Sequence, residues 1–522
     1  VVGAQLIPTL GFALGALAPS GASWGIYALA GGAAVLIAAG VLVLALRKRR
    51  ARAELGEKSA PAGPLRTAEA RILVLRLEGD EGDGVATRAE AALIRRLSGG
   101  ASVAAGAAPP LKPGRALEDD LRRLRALAGK ARAGLLVWGA VEGGVARLRL
   151  CAAGGAPEAY SLPADLAPPF DAALAALAGA AALDSGGFPG LAAPLGSVAE
   201  EIADTLRDAR PVAAADAARL RAGLARAALA LDAAGGYDTA LDAALAATAE
   251  ADPRAETEPL EWAEAQALRA TALARAAAGL AEPPLSDVDA CADAWRAAYE
   301  VWTALGAEAR AARDEPARLA ALLEAADRDG DRRGLEEVER LAAEALARRE
   351  IGAREGELTA ILGGARLRLG EREPRTVRLE AAERDLRRAL VLAEQARNAL
   401  RAAVIKDELA RALARLGERD RGTERLRAAA VIFRFGLEDG SRTELARSRS
   451  RAALGRTLVH VGERDRDVGA VDEAVRALRM AANGLASNGA PNAAAQARRA
   501  LERAERLYAE LRAARASAVA ET

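Results

Sequence analysis

Histidine, methionine and cysteine are nearly missing from this 522-residue chain, which holds one His, one Met and two Cys. Cys151 and Cys291 stand far apart without CxxC spacing, so they build neither a disulfide framework nor a zinc site, and a reducing compartment fits. Aromatic residues make up 3% of a chain that is 51% apolar, so the apolar content is mostly Ala and Leu. That scarcity excludes an all-β protein, whose pleated faces need β-branched and aromatic cover, and it favours closely packed helices. Net charge is missing too: 73 basic side chains face 72 acidic ones, interleaved along the C-terminal half, and no field for nucleic acid results. Lysine occurs only at 48, 58, 112, 130 and 406, which reflects a GC-rich coding sequence rather than a special chemistry.

The motifs of catalysis are equally scarce. No HExxH, GxSxG or strand-end GxGxxG occurs, and GKA at 129–131 lacks the upstream Gly and the Ser/Thr of a P-loop. The one histidine, His460 in LVHVGER, lies near a helix end without a Ser or Cys partner in reach, so it reads as satisfying a carbonyl rather than as a base. The expectation is a protein that is not an enzyme, with no catalytic, cofactor-binding or metal-binding residues.

What is present begins with an uncharged run. Residues 24–46 (WGIYALAGGAAVLIAAGVLVLAL) would span roughly 34 Å as a helix, enough for a bilayer core. Trp24 and Tyr27 mark one interface, and Arg47, Lys48, Arg49, Arg50 and Arg52 follow at the other, which places everything downstream on the cytoplasmic side. Residues 1–18 are a second span or an interfacial lead-in, and a cleaved signal peptide is disfavoured because the basic n-region is missing. The first residue is Val, which reads as a fragment or as a GTG start translated literally.

The segments expected are a membrane anchor at 1–46, a linker at 47–69, a small α/β domain at 70–165, a connecting segment at 166–219 and helical repeats at 220–514. In the α/β part, RILVLRL at 71–77 reads as a strand, 87–97 and 117–131 as helices, and 134–141 with 146–152 as a hairpin through EGG. The loop after the first strand carries Glu78, Asp80, Glu81 and Asp83, read as a solvated loop in preference to a divalent-metal site because its spacing matches no calcium loop. In the connecting segment, PPF and GGFPGLAAPLG suggest irregular backbone before a helix at 198–208.

The C-terminal half repeats itself. Helix starts at Leu241, Val288, Leu335, Leu379, Leu426 and Val471 are separated by 47, 47, 44, 47 and 45 residues, the mark of a solenoid. Three residues on stand Ala244, Cys291, Val338, Ala382, Ala429 and Ala474. Seven further on stand Ala251, Ala298, Ala345, Ala389, Gly436 and Ala481, on the same helix face. Between them Thr248, Trp295, Ala342, Leu386, Phe433 and Leu478 form an imperfect bulky column; Trp295 and Trp302, seven apart, read as packing. Gly370, Gly417 and Gly462, in the phrases LGEREPRTVRL, LGERDRGTERL and VGERDRDVGAV, are expected to end helices in the left-handed conformation. Seven residues earlier lie Gly363, Ala410 and Gly455, small on the inner face. The third unit, around 317–334, lacks the LGER phrase, and 491–514 reads as a capping helix.

With the PLEWA phrase at 259–263, these features resemble extended bacterial tetratricopeptide repeats with an LGER turn, over about 220–510; HEAT-like pairs share the period. RILVLRLEGDEGDG and AGLLVWGAVEGGVARLRL resemble the α/β domain that precedes such arrays in bacterial membrane proteins, itself similar to the N-terminal domain of TolB-like proteins. The resemblance implies a mainly α fold: an α-solenoid after a transmembrane helix and a small α/β domain, anchored in a bacterial inner membrane with its soluble part cytoplasmic. It implies a non-catalytic scaffold whose solenoid groove takes a protein or peptide. Two other readings remain: a ligand-sensing or enzymatic α/β module regulated by the array, with the acidic loop as its site, and an envelope assembly factor of TolB-like type. In every reading the units stack into an open curved rod, since no helix pair can bury its apolar stripe alone.

Overall fold

A computed structural model of the chain describes residues 70–520, except 81, 83, 99–100, 107–125, 127–132, 153–155, 187–188, 209–212, 235–239, 250–256, 281, 349–353 and 439–441. The anchor at 1–46, the linker, the helix at 117–131 and Ala251 therefore lie outside the described residues, apart from the single residue Ala126. Among the described residues no helix is long and apolar enough to cross a membrane.

Among the described residues five strands form one sheet: β1 (Ala70–Leu75), β2 (Ala101–Gly106), β3 (Leu135–Glu142), β4 (Val145–Ala152) and β5 (Glu158–Pro163), in the order β2-β1-β3-β4-β5. β1 runs parallel to β3, whereas β3, β4 and β5 are antiparallel. The hairpin turns at Gly143 and Gly144, whose φ of 56° and 80° need glycine in a two-residue loop. β2 and β5 carry few β-branched residues, and neither was legible as a strand. Helix α1 (Gly84–Arg96) follows the acidic loop.

The expected irregular connection is instead a helix. α2 (Phe170–Gly186) is buried almost all round, from Ala172 to Leu183, so it has no polar face and hardly any amphipathic period to detect. Its Ala-rich surface lets the sheet, α1, α3 (Ala192–Arg207) and α4 (Ala214–Ala233) all approach it. One apolar core therefore runs without a break from Ile72 and Leu135 through α2 into Leu220, Ala244 and Leu268.

From α4 onward the described residues form six helix pairs and a final helix. α4 pairs with α5 (Ala240–Thr248), α6 (Pro259–Gly279) with α7 (Leu285–Ala304), and α8 (Glu308–Arg328) with α9 (Arg332–Ala347). The last three pairs are α10 (Glu355–Arg372) with α11 (Val377–Gln395), α12 (Ala399–Arg419) with α13 (Glu424–Glu438), and α14 (Glu444–Asp465) with α15 (Val468–Ser487). α16 (Pro491–Ala520) follows. Each helix packs on the next in sequence, and α8, α10, α12, α14 and α16 also touch in succession, so the first helices of the last four pairs and the final helix make a continuous row. The result is a mainly helical, repeat-like array behind a small sheet.

The loop between α6 and α7 reaches the start of α16, where the Glu282 carboxylate accepts from Asn492 N at 3.1 Å and Asn492 Nδ2 at 2.9 Å. Contrary to expectation, Gly370, Gly417 and Gly462 do not end helices in the left-handed region. They lie inside α10, α12 and α14, and left-handed residues stand elsewhere, at Gly306, Gly330, Arg397, Arg466 and Gly489.

Candidate functional site

The LGER phrase is a seam between units, and each of its last three residues has a separate task. A Cβ on Gly370 would stand 2.8 Å from Leu379 Cγ, and one on Gly417 would stand 2.7 Å from Leu426 Cγ; Gly462 faces Val471 in the same way. Glycine is thus required for close approach of the first core residue of the following helix. The glutamate faces the next unit: Glu371 accepts from Arg411 Nε at 2.7 Å and Arg415 Nε at 3.0 Å, and Glu463 accepts from Arg503. The arginine reaches back to carbonyls left open at the preceding helix end. Arg372 donates to Asp327 O at 3.1 Å, Arg419 to Gly370 O at 2.9 Å, and Arg464 to Gly417 O at 2.7 Å. Arg328 makes the matching bond to Pro283 O at 2.8 Å, although its unit lacks the phrase.

The packing residues singled out by spacing fall as follows. Ala382, Ala389, Ala410, Ala429, Ala474 and Ala481 are fully buried, and Trp295 nearly so. Gly363 and Gly455 lie under Leu386 and Leu478. Gly436 is only half-buried, and the space above it is taken by the Arg442 guanidinium, which pairs with Asp407 of α12. His460 lies within α14, 3.4 Å from Glu463 and 3.9 Å from Glu418, rather than on a carbonyl.

The acidic loop is a helix start. Asp80 accepts from Val85 N at 2.9 Å and Ala86 N at 3.0 Å, capping α1, and Glu78 bridges to β3 through its backbone. Glu81 and Asp83 lie outside the described residues, and among those described no cluster of three or more metal-ligating side chains occurs.

A buried ionic junction joins the sheet to the array, and sequence reading missed it. Glu258, Glu261 and Glu264 recur every three residues at the start of α6, and all three are buried. Glu258 accepts from Ser161 Oγ of β5 at 2.8 Å and from Arg219 of α4 at 3.2 Å. Glu261 accepts from Arg149 of β4 at 3.0 Å, and Glu264 from Arg310 Nε of α8 at 2.6 Å. At the centre Glu158 of β5 takes a bidentate bond from Arg226 of α4 at 3.0 and 3.1 Å and another from Arg313 of α8 at 3.2 Å. Burial alone would raise the Glu158 carboxyl, but Arg226 and Arg313 hold it well below the usual carboxylate range. Burial and the Glu158 charge together raise the Tyr160 phenol, which donates to Glu158 at 2.8 Å. Such a network fixes geometry more than it adds stability, since the desolvation of buried charges offsets much of their attraction.

A groove lies between α3, α4 and α5. Its volume is about 630 Å³; Ala199, Leu224, Ala228 and Ala243 contribute apolar wall, and Glu200, Arg207, Arg221 and Asp242 add charged groups of both signs. Among the described residues neither a base–nucleophile pair nor a metal set faces it. Its chemistry suits holding an amphipathic segment.

No protein-family model matches the chain, and no curated protein matches it. Among solved structures it is similar to a circular tandem repeat protein with novel repeat topology and enhanced subunit contact surfaces. The identity is 15%, the match covers 65% of this chain and 83% of that one, and the TM-score is 0.22. A likeness of that degree carries no functional argument.

Proposed function

We propose that this chain is a non-catalytic scaffold whose helix pairs are of the extended tetratricopeptide type and whose array holds a protein segment. The observation that carries this reading is the groove of about 630 Å³ between α3, α4 and α5, apolar along its walls and bordered by both signs of charge. An amphipathic helix laid there would bury its apolar stripe and meet charges at its flanks. The sheet domain, in this reading of TolB-like type, serves as the rigid base from which the array starts.

The scaffold is tethered to a bacterial inner membrane through 24–46, with the rest cytoplasmic, as the basic cluster from Arg47 to Arg52 supports. Alkaline phosphatase fused after residue 60 then stays inactive; an active fusion would place the array in the envelope instead.

The groove is tested in the full chain by Ala203→Trp and Ala243→Trp, both at half-buried positions where an indole fills the space without entering the core. Crosslinking capture from membranes should lose proteins held by the wild-type chain while the circular dichroism of the variants is unchanged. Capture of the same proteins in the same yield would remove the groove from the proposal.

A further inference from the structure

Arg318, in the first helix of the third pair, is buried to 7% exposure, yet among the described residues its Nε, closed off from solvent, has no hydrogen-bond partner. One face of the ion lies on the Tyr299 ring of α7, with Cζ 3.9 Å from the centroid. Its nearest carboxylate, Glu315, stands 3.9 Å from Nη2 and is already engaged elsewhere. Glu315 Oε2 accepts from Arg348 at 2.9 Å, and Oε1 accepts from the Tyr299 hydroxyl at 3.3 Å. Two guanidinium groups thus share one carboxylate, and the one whose Nε lacks a partner is the more buried of the two. The other charges around it are matched: Arg296 pairs with Asp293, and Glu337 with Arg340.

Stacking on Tyr299 offsets part of this, but an aromatic face supplies no acceptor for the buried Nε–H, and a buried donor of a charged group left without an acceptor is costly. Burial, together with repulsion from Arg348 and Arg296, disfavours its charged form in spite of Tyr299 and Glu315. The side chain keeps a small solvent-facing edge, being 9% exposed, so a ligand atom can reach it without opening the core.

We infer that Arg318 is a binding position for a single carboxylate, presented by an acidic side chain of a segment docked on the array and held in plane with the guanidinium. This deepens the scaffold reading and rests on it. A carboxylate matches the local excess of one positive charge and the fork geometry of Arg, whereas a phosphate dianion carries twice the charge and is repelled more strongly by Glu315.

The probe is a fluorescein-labelled tetraglutamate peptide, followed by anisotropy with the purified full chain. The wild type should bind it, and Arg318→Leu should weaken binding at least tenfold. Glu315→Gln, which removes the competing charge, should tighten it several-fold. Sodium acetate should compete at lower concentration than inorganic phosphate; equal or better competition by phosphate would overturn the carboxylate assignment. Because the cation is under-compensated, the thermal midpoint of Arg318→Leu should equal or exceed that of the wild type. A fall of several degrees would make Arg318 a structural residue and defeat the inference. Loss of captured proteins in Ala243→Trp with no peptide binding by the wild type would leave the scaffold and remove the Arg318 site. Peptide binding that depends on Arg318, with no capture at all, would do the opposite.

Discussion

Arg464 Nη1 stands 2.7 Å from the carbonyl oxygen of Gly417, so a side chain of one unit completes the helix end of the unit before it. The same guanidinium reaches Gly422 O at 2.8 Å and Glu418 O at 2.7 Å, which makes a fork over a turn that would otherwise leave carbonyls exposed. Arg464→Met should therefore lower stability by about 1.5–3 kcal/mol, the usual worth of charge-assisted bonds. Arg464→Lys should recover less than half, because an ammonium lacks the planar fork. Urea unfolding of the two variants measures both. Equal stability of wild type and Arg464→Met would mean that the fork adds nothing to the seam.

Glycine at position 417 has an inverted substitution sign. In a free helix Gly→Ala gains about 1 kcal/mol, but here the added methyl meets Leu426 Cγ at 2.7 Å and Leu426 N at 2.9 Å. Gly417→Ala should instead cost about 1–3 kcal/mol by overpacking. Combining it with Leu426→Ala should cost less than the sum of the single changes, by about 1 kcal/mol, since the pair is in contact. Strict additivity in denaturant unfolding would show that the two residues do not meet.

Much of this array is legible in the sequence because its period is carried by size. Leu379, Leu426 and Val471 recur at near-constant spacing, and the helices begin within a few residues of where that spacing puts them. The hairpin through Gly143 and Gly144 is legible for a similar reason, since both positions need positive φ. Size periodicity does not say what a glycine is for. Gly417 read as a stop because glycine often ends helices, whereas its neighbour in space, nine residues on, is what demands it. Helix α2 was hidden because a helix buried on every side has no amphipathic period. The junction was hidden because Glu258, Glu261 and Glu264 form a charged stripe, which reads as a solvated face until Arg149, Arg219 and Arg310 are placed opposite it.

The third pair shows why its sequence departs from the others. In three later pairs the first helix supplies the small residue, Gly363, Ala410 or Gly455, and the second the bulky one, Leu386, Phe433 or Leu478. In α8 and α9 the order is reversed: Leu319 is bulky, Ala342 is small, and both are fully buried in one cluster. Leu319→Ala should cost about 2–5 kcal/mol by leaving a cavity, and Ala342→Leu about 1–3 kcal/mol by overpacking. Together they conserve volume and restore the usual order, so the double variant should regain at least half of the summed loss, as read by thermal unfolding with calorimetry. A double variant no better than that sum would mean that the exchange is not compensatory.

The junction should make stability depend on pH through Glu158. Its folded-state carboxyl lies well below the ordinary value of 4.5, because Arg226 and Arg313 outweigh the burial that would raise it. Above pH 4.5 the carboxylate is ionised in both folded and unfolded chains, and its contribution is complete. As the pH falls below that, the unfolded chain takes up the proton first, and stability is lost by at most about 1.4 kcal/mol per pH unit from this one group. Glu158→Gln removes the charge and leaves buried Arg226 with only the exposed Asp184, 2.6 Å away, as counter-ion, which should cost at most about 3–5 kcal/mol at pH 7. The gap between wild type and Glu158→Gln in urea unfolding should therefore be constant from pH 7 to about pH 5 and should narrow steadily from pH 4.5 to pH 3. A gap that stays constant down to pH 3 would show that Glu158 does not carry the charge the junction is built around.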